Sequence, residues 1–175
     1  MQMPTMLRNR QTRVAMAGVI VWMAVAAAGR AQAPSGDALP GYFHHAAEAL
    51  GAYEQSLRPA MNQYRQSAAR LEDLGGQTTW VAHREADGLA EIHEEWADLV
   101  FVISGEASLQ VGGDIDGRYE EAPGELRGPS ARGGMTQRLG PGDVVHVPAG
   151  MQHRFLVPDG GQITFFTMKI ARQAP

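Results

Sequence analysis

The sequence has no cysteine. That excludes a disulfide framework, a thiolate zinc site, an iron–sulfur cluster and a cysteine nucleophile. It has no internal repeat, and its 21 glycines and 10 prolines follow no period, so it is neither collagen-like nor low-complexity. Acidic residues are missing from the first 33 positions, which carry Arg8, Arg10, Arg13 and Arg30. The remainder holds eleven basic against nineteen acidic residues, so the formal net charge of −4 hides a domain at −8. A surface that acidic repels polyanions, which argues against a nucleic-acid partner and against anionic membranes. What remains is 175 residues at 44% apolar, enough for one domain with a real core.

One run is long and apolar. Val14–Ala28 contains no charge and follows the three arginines. Fifteen residues fall short of the roughly 20 that a membrane-spanning helix needs. They fit the apolar region of a secretory signal peptide over residues 1–33. Small residues at Ala28, Gly29, Ala31 and Ala33 suit cleavage after Ala31, and Ala31-Gln32-Ala33 forms a second candidate site. The alternative is an uncleaved anchor. Either reading puts the domain outside the cytoplasm, periplasmic or secreted, and free of the membrane once the signal is removed.

Residues 34–75 read as a linker followed by a helical preface. Ala46, Leu50, Tyr53, Leu57, Met61, Tyr64, Ala68, Leu71 and Leu74 recur at steps of three and four, which predicts about thirty helical residues with a break at Pro59. From Gln77 the apolar period becomes two. Strands are predicted near residues 78–83, 89–94, 98–104, 106–111, 136–139, 143–148, 153–157 and 162–170, separated by glycine-rich turns. The fold class is therefore mainly β, an antiparallel jelly-roll or barrel over residues 76–175. Gly112–Gly134 is polar and glycine-rich and reads as a surface loop or lid.

The chemistry gathers in two stretches. On a strand, Glu91 and His93 point to one face. After a short turn Asp98 re-enters on a neighbouring strand, and His153 arrives from a later hairpin shaped by Pro148 and Gly150. Two imidazoles and two carboxylates from three strands make a candidate divalent-metal site. Glu91, His93 and His153 are the first choice of ligands. Asp98 is either a fourth ligand or a residue that orients a histidine. His146 is read as a hydrogen-bonded strand residue, with an inward position as the alternative; His83 is read as a surface residue. Trp80, Phe101, Phe155, Phe165 and Phe166 are spaced like core residues, and Glu94, Glu95 and Trp96 are expected to rim the mouth.

At these residues the sequence resembles the cupin superfamily of small β-barrels, whose motifs are written G-x5-H-x-H-x3,4-E-x6-G and G-x5-P-x-G-x2-H-x3-N. The second matches from Gly142 through Pro148, Gly150 and His153, with Val157 in place of the last Asn. In the first, Glu91 stands for the first His, His93 for the second and Asp98 for Glu, and Gly105 closes the motif. The resemblance spans about residues 77–170 and implies a barrel that commonly dimerises. It implies no single activity, since the family includes dioxygenases, isomerases, decarboxylases, storage proteins and sugar-binding sensors. Oxygen-rich ligation favours Fe(II), Mn(II) or Zn(II) over Cu(I).

The resulting expectation is an exported metal-binding barrel acting on a small organic molecule, with dioxygenase- or isomerase-like chemistry. A non-ligating Asp98 or Glu91 would serve as general base. The rival expectations are a non-catalytic small-ligand binder and a structural homodimer partner. No serine-hydrolase elbow or phosphate-binding glycine loop is present.

Overall fold

The computed structural model describes residues 42–172. The expected signal peptide and the first part of the linker lie outside the described residues. A helix, α1 (Ala47–Leu57), comes first and runs into a single 3-10 turn at Arg58–Ala60. Thirteen strands follow among the described residues: β1 (Gln66–Asp73), β2 (Gln77–Arg84), β3 (Ala90–His93), β4 (Trp96–Gly105), β5 (Ala107–Val111), β6 (Asp114–Asp116), β7 (Tyr119–Ala122), β8 (Glu125–Gly128), β9 (Ser130–Arg132), β10 (Met135–Leu139), β11 (Val144–Val147), β12 (His153–Leu156) and β13 (Ile163–Ala171).

They form a five-stranded sheet in the order β1-β2-β13-β4-β11, a six-stranded sheet in the order β10-β5-β12-β3-β8-β7 and the small ribbon β6-β9. Every pairing is antiparallel. The core lies between the two larger sheets. Val100, Val102, Ile163 and Phe165 from one meet Ala107, Leu109, Leu139 and Phe155 from the other. Phe155 and Phe165 stack across the gap with ring centroids 4.6 Å apart. Burying side chains of this size contributes roughly 1.5–3 kcal/mol each, which makes the sandwich the main source of stability.

The helical expectation fails beyond Leu57. Pro59 has no N–H to donate and its ring crowds the carbonyl four residues earlier, so the α-helix ends and one 3-10 turn replaces it. The Asn62 side chain then accepts hydrogen bonds from the Tyr64 and Gln66 amides at 2.9 and 3.3 Å, which turns the chain. Arg65 completes the turn with φ 54°. The segment predicted as the second half of the helix becomes β1 and pairs along β2. Satisfying the ladder of β2 outweighs the weak helical spacing of Tyr64, Ala68, Leu71 and Leu74.

The polar stretch 112–134 is not a loop. It folds as the ribbon β6-β9 and the hairpin β7-β8, and β8 joins the six-stranded sheet beside β3. Strands of three or four polar residues are too short to show a period.

The glycine that closes the first motif has a backbone reason. Gly105 ends β4 at φ 75°, and a Cβ there would lie 2.1 Å from the Gln162 carbonyl oxygen. Gly150 also sits at positive φ, 79°, but with open space around it. Gly105→Ala is therefore expected to cost more than about 2 kcal/mol in urea unfolding, against about 1 kcal/mol for Gly150→Ala. Equal costs would contradict the steric argument.

Candidate metal centre

Alternation on β3 puts Glu91 and His93 on the inner face, as the sequence predicts. Glu91 stands directly opposite His153 of β12. One donor atom each of Glu91, His93 and His153 falls within 4.8 Å of the others. Asp98, near the start of β4, joins them: its Oδ2 lies 3.5 Å from Nε2 of His93 and 3.5 Å from Nε2 of His153. Glu91 Oε2 is 3.4 Å from the same His93 nitrogen. All four residues singled out in the sequence meet at one locus.

The motif-bearing strands thus converge from two facing antiparallel sheets, with Gly105 and Gly150 at the turns that the motifs require. The fold is of the cupin type. Among solved structures, this barrel is similar to the cupin domain of Cnp3 from Schizosaccharomyces pombe, at 13% identity over 65% of this chain and 71% of that one, with TM-score 0.47. It is also similar to the polyketide cyclase RemF from Streptomyces resistomycificus, at 18% identity over 63% and 68% of the two chains, TM-score 0.44. A third is the DMSP lyase DddQ from Ruegeria pomeroyi, at 18% identity and TM-score 0.45; the match covers 63% of this chain and about half (49%) of the lyase. No family model and no curated protein matches the sequence.

The donor set of this barrel fits a divalent ion on three grounds. First, separations of 3.4–3.5 Å are longer than ordinary hydrogen bonds. Ligands about 2.1 Å from one ion at tetrahedral angles lie about 3.4 Å apart. Second, Nε2 of His93 is buried with no hydrogen-bond partner, which is costly unless something is coordinated there. Third, the opposite ring nitrogens are occupied. His93 Nδ1 lies 2.5 Å from Glu125 Oε2, and His153 Nδ1 lies 3.3 Å from the Met151 carbonyl oxygen. With Nδ1–H donating in each ring, both imidazoles present the Nε2 lone pair to the shared locus.

The sequence reading missed the shell around this set. β8 runs opposite β3 in the register Glu91↔Arg127 and His93↔Glu125, so each inner residue of β3 faces a partner of complementary chemistry. The Arg127 guanidinium pairs with Glu91, with Glu121 at 3.1 Å and with Glu125 at 3.4 Å. Arg84 of β2 reaches Glu91 Oε1 at 3.3 Å. Lys169 of β13, the one lysine in the sequence, holds Asp98 Oδ1 at 2.8 Å.

These contacts set the protonation states. Burial works against a charged Glu91, but Arg127, the nearby His93 ring and Arg84 outweigh it and hold the carboxyl well below its ordinary value. Burial also opposes ionised Asp98, yet His153, Lys169 and His93 bring it down to about 2. For His93, burial favours the neutral ring, and the hydrogen bond to Glu125 with the nearby Glu91 carboxylate overcomes this and raises its pKa. The carboxylates therefore draw positive charge to this spot, whether a proton or a metal ion. Carboxylates held this far down are poor proton acceptors near neutral pH, which weighs against the general-base role expected for Glu91 and Asp98.

Other expectations are corrected. His83 is fully buried, not at the surface: it alternates with the inward-facing Ala82 and Arg84, and its Nδ1 lies 2.8 Å from Thr164 Oγ1 on the far side of the sheet. His146 is exposed, because Val145 and Val147 take the inner face of β11. Phe101 is 44% exposed and is not a core residue. Glu94 and Glu95, by contrast, are exposed at the β3–β4 turn, in keeping with the expected place of that charge run between the two strands.

Glu125→Gln keeps the shape beside His93 while removing the charge that fixes its ring. Metal affinity should fall about 10- to 100-fold by competition titration, with the urea midpoint little changed. Unchanged affinity would remove Glu125 from this role.

Proposed function

We propose that the chain is an exported, metal-dependent cupin enzyme that acts on a small organic molecule. His93, His153 and Glu91 would hold a divalent ion, Fe(II), Mn(II) or Zn(II), with Asp98 as fourth ligand or as a contact to both histidines. The observation that carries the reading is the convergence of four donors at ion-sharing distances, with both Nδ1 atoms anchored from behind.

A bound ion supplies Lewis acidity toward a substrate oxygen, and open coordination positions suit the dioxygenase- or isomerase-like chemistry expected of a two-His, one-carboxylate set. The chain's own residues do the rest. Glu125 and the Met151 carbonyl fix the imidazole tautomers. Arg127, Arg84 and Lys169 keep the carboxylates ionised at neutral pH. A cavity of about 420 Å³ between the sheets, walled by Trp80, Phe155 and Phe165, receives the substrate and limits water. Elemental analysis of protein purified without chelators or a polyhistidine tag tests the reading. One equivalent of ion per chain supports it; less than a tenth of an equivalent after exposure to each of the three metals contradicts it.

One observation favours the non-catalytic reading. Both oxygens of Glu91 already meet arginines, so a barrel that binds a small ligand without an ion is internally consistent. The same analysis separates the two.

Export rests on the arginine-led apolar run at residues 1–33. Among the described residues no helix is long and apolar enough to cross a membrane. Intact-mass measurement of the secreted or periplasmic protein should show a chain beginning at Gln32; an unprocessed amino terminus would contradict cleavage. The homodimer expected from the resemblance is checked by sedimentation equilibrium of that same mature chain.

A further inference from the structure

The charge in the cavity, taken with its walls, names the class of molecule it accepts; this inference rests on the metal-dependent reading above. Four carboxylates, Glu91, Asp98, Glu121 and Glu125, face three permanent cations, Arg84, Arg127 and Lys169, through the ion pairs already described. Without an ion the group carries one negative charge in excess. A dication turns that into one positive charge, centred on the buried His93, Asp98 and Arg127, where interactions are weakly screened, while Glu121 and Glu125 keep 28% and 26% of their side chains exposed. The neutralising partner for such a site is a single negative charge.

Much of the remaining surface is apolar or aromatic, with Asn62, Gln66 and Ser67 on one side. Trp80, Phe155 and Phe165 form one continuous wall with Ala82 and Val100, and the cavity of about 420 Å³ sits at the lower end of small-molecule sites. One polar group on that wall is unspent. Thr167 lies on β13 between the inward-facing Phe165 and Lys169, is 7% exposed, and its hydroxyl has no hydrogen-bond partner. A buried hydroxyl in that state is unusual in a folded protein, and the residue that carries it lines the cavity.

We infer that the ligand is a small aromatic monoanion, with its carboxylate toward the metal locus, its ring on the Trp80–Phe155–Phe165 wall and a hydrogen bond to Thr167. Anion and ion binding are then coupled: each raises the affinity of the other by the same factor.

Benzoate, benzamide and benzamidine share one shape and carry charges of minus one, zero and plus one. Their binding to zinc-loaded and chelator-treated protein is followed by ligand-observed NMR, with zinc uptake measured in the same samples. The zinc-loaded protein should bind benzoate at least about ten-fold more tightly than benzamide, and benzamidine most weakly. Chelation should abolish the preference for benzoate. Thr167→Val should weaken benzoate about three-fold or more with zinc uptake unchanged; an unchanged affinity overturns the contact to Thr167. Equal binding of benzoate and benzamide by the zinc-loaded protein overturns the inference, as does failure of all three to bind at millimolar concentration. In both cases zinc uptake leaves the metal reading intact. Absence of zinc uptake overturns the inference, and the metal reading falls with it when iron and manganese are refused as well.

Discussion

His93→Ala should lower divalent-metal affinity by more than about 100-fold in competition with a chelating indicator, because it removes a ligand and not merely its support. The Nε2 atom lost is buried, unpartnered, and 3.4–3.5 Å from the carboxylates of both Glu91 and Asp98. His153→Ala should act alike, since its Nε2 faces the same Asp98 oxygen. His146→Ala is the control: its side chain is exposed on the outer side of β11, and affinity should not change. Circular dichroism and the urea midpoint separate loss of the ligand from loss of the fold. A His93 variant that folds and binds metal as tightly as the parent would contradict the assignment.

The second large effect is on stability. Arg127 is 5% exposed and is shared by Glu91, Glu121 and Glu125. Arg127→Met keeps much of the volume but strips the part-buried Glu91, Glu121 and Glu125 of their shared cation, leaving only Arg84 on Glu91, and should cost about 3 kcal/mol, the low end for a broken buried pair. The pH dependence follows from the direction of the Glu91 shift. In the parent, its lowered pKa contributes stability above the ordinary carboxylate range and loses it as the pH falls through the native value. In the variant the main counter-charge is gone, and burial pushes the carboxyl up, so acid relieves the repulsion. The gap between the two urea midpoints should narrow from pH 7 to pH 5. Added metal at 100 times the variant's own dissociation constant should stabilise the variant by about 2.7 kcal/mol if only its folded state binds, and the parent should gain as well. Arg138→Met, on an exposed pair with Glu106, should leave the midpoint unchanged. A small, pH-independent effect of Arg127→Met would show that the charge network is not what holds β8 to β3.

The four inner donors were legible because the rules that place them are local. Glu91 and His93 are two apart on a strand, Asp98 follows a short turn, and His153 follows a turn whose Pro148 and Gly150 signal its geometry. Their partners were not legible. Glu125 and Arg127 sit on a four-residue strand inside a polar, glycine-rich stretch, and only the β3–β8 register shows that they face the histidine and the glutamate. Arg84 and Lys169 lie on strands that the sequence did reveal, but which way each points depends on which face the other sheet covers. Alternation gives two choices and not the answer. His83 was misplaced for the same reason. The overlong helix had a different cause: its apolar spacing continued past Pro59, where the backbone could not, and β2 offered the chain a ladder instead.

The most direct measurement is an anomalous-scattering difference map from crystals of the metal-loaded protein, collected at the absorption edge of the bound ion. A single strong peak is predicted about 2.0–2.2 Å from Nε2 of both His93 and His153 and from a Glu91 oxygen. Density showing those nitrogens hydrogen-bonded to Asp98 and Glu91, with no peak between them, would contradict the metal centre and leave a charge-paired barrel in its place.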